Sequence, residues 1–107
     1  MKEDMLLIMN DIKKIQEMEA IVHQAKTVFG SLEKSLEEFE QFLPLWTSLV
    51  AYYESGVWRR HYEMDEAGQF PQDLARGVLS QDTIYNLMID HHELKQMMKE
   101  LGKSEDL

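Results

Sequence analysis

The chain has 107 residues, 44% of them hydrophobic, and twenty acidic against eleven basic side chains give it a net charge of −9. That length provides one modest core, and the charge argues against unaided binding to nucleic acid phosphates or docking on an anionic membrane. The absence of cysteine removes disulfides, thiolate metal sites and thiol catalysis, while eight methionines beside only five glycines and two prolines favour helices over a turn-rich β fold.

The first ten residues carry an apolar patch, Met5, Leu6, Leu7, Ile8 and Met9. It is too short to span a bilayer and lacks the basic flank and small-residue cleavage site of a signal peptide, so a cytoplasmic protein is expected. From Ile15 the apolar residues alternate at steps of three and four through Met18, Val22, Ala25, Phe29, Leu32, Leu36, Phe39, Leu43, Trp46 and Val50. A 3.5-residue repeat keeps one narrow seam on one side of a slightly supercoiled helix, as in a coiled coil. The repeat predicts a long helix over residues 11–55, about 50 Å from Asp11 to Leu43 at ~1.5 Å per residue, with a seam that needs a partner. Gly30 costs about 1 kcal/mol relative to Ala in a helix, and Pro44 removes a backbone donor. The register passes both without a phase shift, so tolerance at Gly30 and a kink near Pro44 are expected; the alternative at Pro44 is a break that opens a new helix.

Glycines punctuate the rest of the chain. Gly56 is placed to end the long helix, Gly68 to end a helix over residues 58–67, Gly77 one over 71–76, and Gly102 the last helix over 81–101. Pro71 suits a first helical turn, and Ser80 is a good N-cap with Asp82 near the positive end of the dipole. The last helix repeats the three-four spacing through Ile84, Leu87, His91, Leu94, Met98 and Leu101, which makes it the natural antiparallel partner of the long one. The predicted fold is all-α and a single domain over residues 1–107. It has a long kinked helix (11–55), a cap of short helices (56–79) and a C-terminal helix (80–102), packed as a coiled-coil-like bundle.

The cap gathers the candidate interaction residues Tyr52, Tyr53, Trp58, Tyr62, Asp65, Glu66, Arg76 and Tyr85. They read either as a structural cap, with aromatics closing the open end of the helix pair and Arg76 paired to Asp65, Glu66 or Asp73, or as a recognition surface of aromatic and Arg anchors. His91 falls on the seam while His92 points elsewhere, and Glu19 with His23 has a four-residue spacing rather than the Glu-x-x-His of di-metal carboxylate bundles. No metal or other cofactor is expected. The acidic run Glu33, Glu37, Glu38 and Glu40 reads as a solvated face, with imitation of nucleic acid charge as the sharper alternative. Ser31, Ser48, Ser55 and Ser80 lie in helix or cap contexts without a nucleophile elbow or phosphate loop, so no catalytic residue is assigned. Met5, Met9 and Met18 at one end and Met88, Met97 and Met98 at the other read as core filling or as an adaptable apolar surface.

Residues 52–94 carry the pair Tyr52-Tyr53, Trp58, the run Asp65-Glu66-Ala67-Gly68, Pro71, Asp73-Leu74, the run Arg76-Gly77-Val78-Leu79-Ser80, and Tyr85-Asn86. In these elements the chain resembles an uncharacterised bacterial family, domain of unknown function 4298. The preceding helix is similar to the family in character only. The resemblance implies a mostly helical bacterial protein inside the cell and carries no activity, cofactor or catalytic residue. At His91-His92 the chain departs from the Asn-Arg type pair of the family, so no family role passes to these histidines.

The expected function is that of a non-catalytic helical module that binds another protein or a second copy of itself, without direct nucleic acid or membrane contact. Two rivals are a small acidic inhibitor or immunity-type protein, which includes the nucleic acid mimic, and a metal-dependent enzyme using carboxylates with His23, His61 or His91.

Overall fold

A computed structural model describes residues 1–104. Its elements in chain order are α1 (Lys2–Glu54), α2 (Gly56–Glu66), a 3-10 helix (Gly77–Leu79) and α3 (Gln81–Gly102), with no strand among the described residues. The chain divides into two compact units, Met1–Pro44 and Leu45–Leu107.

The first unit is one uninterrupted stretch of α1. Helix begins at Lys2, so residues 2–10 extend the helix expected over 11–55; these residues contain no breaker and consist largely of the good helix formers Lys, Glu, Met and Leu. Glu3 and Asp4 in the first turn complement the positive end of its dipole. The helix runs through Gly30 and carries Pro44 inside it, so the break considered at Pro44 does not occur. No residue of α1 is buried. The coiled-coil packing expected of its seam is not seen: Val22, Phe29, Leu32 and Leu36 are exposed, and only Ala25, Phe39 and Leu43 are half-buried within this unit.

The second unit holds the core. Trp58, Leu79 and Ile84 are buried, and Leu49, Tyr52, Tyr53, Tyr62, Phe70, Val78 and Met88 pack around them. The end of α1 is set by Ser55 rather than by Gly56. The Ser55 hydroxyl donates to Tyr52 O at 2.7 Å, its amide reaches the same carbonyl at 3.1 Å, and its backbone turns to an extended φ of −87° and ψ of 159°. A serine that bonds its own backbone in this way competes with helix continuation. Gly56 then opens α2 instead of closing α1. Gly68 does what its position predicts: at φ 72° it is the one positive-φ residue among those described, just past the end of α2.

Residues 71–76 do not form the expected helix. Leu74 N–H reaches Pro71 O at 3.2 Å and closes one turn, and the Arg76 guanidinium donates to that same carbonyl. Competition for the Pro71 carbonyl, in a segment too short to propagate, leaves a turn. Gly77 accordingly starts the 3-10 helix rather than ending an α-helix. Ser80 is the N-cap of α3, extended at φ −69° and ψ 132°, although its side chain makes no capping bond, and Asp82 lies in the first turn. At the far end Gly102 is the last helical residue and Lys103 the cap.

Candidate functional site

Two features of the chain are candidates for function: the aromatic cap of the second unit and the apolar stripe of the first. The cap is built on the last turns of α1 and on α2. Within α2, steps of three and four put Trp58, His61, Tyr62 and Asp65 along one side. Trp58 stacks on Tyr62 with ring centroids 5.5 Å apart and an 18° tilt, and meets Tyr53 edge-on at 5.0 Å. Its indole N–H donates to Val78 O at 2.9 Å, which ties α2 to the 3-10 helix. Both arrangements are ones that aromatic pairs favour, and the indole donor has the partner a buried Trp needs.

A second aromatic line runs beside the first. The Tyr52 hydroxyl and His61 Nδ1 share a hydrogen bond of 2.8 Å, their rings lie 5.7 Å apart, and Phe70 meets His61 edge-on at 6.4 Å. At the open end Arg76 Nε sits 3.2 Å from Asp65 Oδ1. The contact is an ion pair without a hydrogen bond, since the buried Nε has no hydrogen-bond partner. The Gln81 amide donates to the Tyr62 hydroxyl at 3.3 Å.

The structure therefore brings together six of the eight candidate residues: Tyr52, Tyr53, Trp58, Tyr62, Asp65 and Arg76. Tyr85 is 55% exposed and is not among the hydrophobic residues packed against the core of Trp58, Leu79 and Ile84. Glu66 is exposed and lines an open depression with Tyr62, Asp65 and Arg76. Sequence reasoning did not single out His61, Phe70 and Val78 among the residues of the 56–79 cap, and it placed Gln81 outside the cap, in the last helix. The signal for His61 was its i+3 spacing from Trp58, while Phe70 and Val78 arrive through turns that leave no periodic trace. His91 stands against Trp46, with ring centroids 5.2 Å apart. Among the described residues no group of three or more His, Cys, Asp or Glu side chains is placed to hold a metal ion. Nor is any helix long and apolar enough to cross a membrane.

The cap's polar atoms are largely turned inward onto one another, which is what a structural closure needs. The stripe of the first unit is the opposite case. Phe29 is 69% exposed, Leu32 54% and Val22 48%, and the charged residues of this stretch, Glu33, Glu37, Glu38 and Glu40 included, are exposed as well. A row of large apolar side chains in helical register, in water over several turns, is more than the singly scattered apolar residues ordinary on a protein surface.

A search of curated proteins and one of solved structures each returned no match. A family model matches residues 15–101, a span that takes in both the stripe of α1 and the whole aromatic cap, and its description is domain of unknown function (DUF4298). The chain belongs to the DUF4298 family.

Proposed function

We propose that this protein is a non-catalytic helical interaction module that docks on protein through the apolar stripe of α1. The observation that carries this reading is the exposure of Val22, Phe29, Leu32 and Leu36 in one heptad register. Leaving such a row in water forgoes roughly 25 cal/mol per Å² of apolar surface, which a partner helix recovers. The aromatic cap serves as the anchor that ends α1 and folds the second unit, with its Trp58, Tyr52 and Tyr62 polar atoms bonded within the protein. The bacterial cytoplasm is the compartment we assign to it, in keeping with the family resemblance and the acidic composition.

The test is solution mass by light scattering at several concentrations, together with affinity capture, comparing the wild type with Val22→Asp/Phe29→Asp. Assembly or capture that the wild type shows and the variant loses supports the reading. A wild type that stays monomeric and captures nothing the variant does not also capture overturns it.

A further inference from the structure

We propose that the partner of the α1 stripe is a second copy of this chain, lying antiparallel with the two-fold axis crossing between Val22 and Ala25. The inference rests on the stripe being the docking surface, and it adds the occupant, the direction and the register.

In heptad letters the seam residues Ile15, Val22, Phe29 and Leu36 are a positions, and Met18, Ala25, Leu32 and Phe39 are d positions. The flanks differ in chemistry. On the g side stand Ile21, Val28 and Phe42, which are 55%, 51% and 48% exposed, with Lys14 before them and Ser35 between Val28 and Phe42. The e side carries Met5 and Ile12 and then, from residue 19 onward, the charged Glu19, Lys26, Glu33 and Glu40, all exposed. Flanking residues set the orientation of helix pairs: antiparallel helices place g against g and e against e, whereas parallel helices place g against e. Around the axis, over residues 19–28, the apolar g residues Ile21 and Val28 and the charged e residues Glu19 and Lys26 are therefore segregated only in the antiparallel arrangement. A parallel pair would put Lys26 beside Ile21 and Glu33 beside Val28, and would bring Asp11, a d position, against the like charge of its own copy, whereas the antiparallel pair sets it against Leu36.

The charges also select the register. With the axis between Val22 and Ala25, Glu19 faces Lys26 of the second copy, and by symmetry Lys26 faces Glu19. In the seam Met18 then meets Phe29, Ile15 meets Leu32 and Ile8 meets Phe39, while Ile21 meets Val28 on the g flank. A shift to the neighbouring register on one side opposes Lys26 to Lys26 and Glu19 to Glu33. The shift on the other side opposes Glu19 to Glu19. The chosen axis also lies at the middle of the first unit, Met1–Pro44, so the exposed stretch covers itself along its length. Nine large apolar residues at the a, d and g positions between Ile15 and Phe42 are 40% to 69% exposed. They present on the order of 900 Å² per chain, against about 800 Å² per partner in a standard protein interface.

The experiment uses the full chain, whose lack of cysteine makes single labels unique. Nitroxide labels at Gln24→Cys and, separately, at Gln41→Cys are measured by pulsed dipolar spectroscopy. The antiparallel dimer gives a short distance at 24 and about 50 Å at 41, from ~1.5 Å per residue along paired helices. Short distances at both positions mean a parallel dimer and overturn the inference while the docking reading stands. A protein that is monomeric at all concentrations also overturns it; stripe-dependent capture of another protein then keeps the docking reading, and its absence removes both. As an independent check, Lys26→Glu weakens the dimer about tenfold, because two symmetry-related pairs become repulsive. Adding Glu19→Lys restores it to within about threefold. Failure of that rescue overturns the register.

Discussion

Trp58 is the residue on which the second unit turns. It is buried, it touches Tyr53 and Tyr62, and it holds the Val78 carbonyl. Truncation to Ala removes packing on three sides, and a loss of about 3–5 kcal/mol is expected in urea denaturation followed by circular dichroism. Trp58→Phe keeps a ring but strands the Val78 carbonyl, for an expected cost of about 1–3 kcal/mol. If the two variants are equally destabilised, the indole N–H carries the whole effect and packing carries none. Trp58 was legible in the sequence as a cap residue because it lies in an aromatic-rich stretch with Tyr52, Tyr53 and Tyr62. The partner of its N–H was not legible. The bond crosses a turn of irregular backbone, and nothing in the spacing of residues 67–76 fixes where Val78 O comes to rest.

At the scale of elements, glycine has opposite roles at two positions. Gly68 adopts φ 72°, where an L side chain is strained, so Gly68→Ala is expected to destabilise by about 1–2 kcal/mol. Gly30 sits inside α1 with nothing within 4 Å of an added Cβ, so Gly30→Ala is expected to raise stability by about 0.5–1 kcal/mol. Thermal melts of the two variants check the signs, and a shift in the same direction for both would contradict the helix and cap assignments. The hydrophobic period made α1 readable across Gly30 and Pro44, since a loop at either site would have shifted the phase. Element ends were less readable. Glycine alone predicted stops at Gly56 and Gly77, whereas the outcome depended on hydroxyl and guanidinium groups reaching backbone carbonyls, Ser55 to Tyr52 O and Arg76 to Pro71 O. The residues of the candidate site show the same division: the aromatic richness of residues 52–62 marked Tyr52, Tyr53, Trp58 and Tyr62 as cap residues, but not which of their polar atoms would find partners within it.

At the scale of the whole molecule, net charge and apolar area act against each other. Each copy carries −9, so two copies repel at long range while their exposed Phe29, Leu32 and Val28 side chains favour contact. Salt screens the first effect and leaves the second nearly intact: the Debye length falls from about 20 Å near 20 mM to ~8 Å at 150 mM. The Glu19 to Lys26 pairs are weakened by the same screening, but an exposed pair contributes only about 0.2–1 kcal/mol. Repulsion between the two like-charged copies is therefore the larger of the two electrostatic effects. Self-association is expected to tighten severalfold as salt rises over that range, measured by sedimentation equilibrium at two ionic strengths. The double reversal Lys26→Glu/Glu19→Lys leaves the net charge unchanged and should follow the same salt dependence as the wild type. Association that weakens with salt would mean that specific charge pairs, rather than the apolar stripe, hold the copies together.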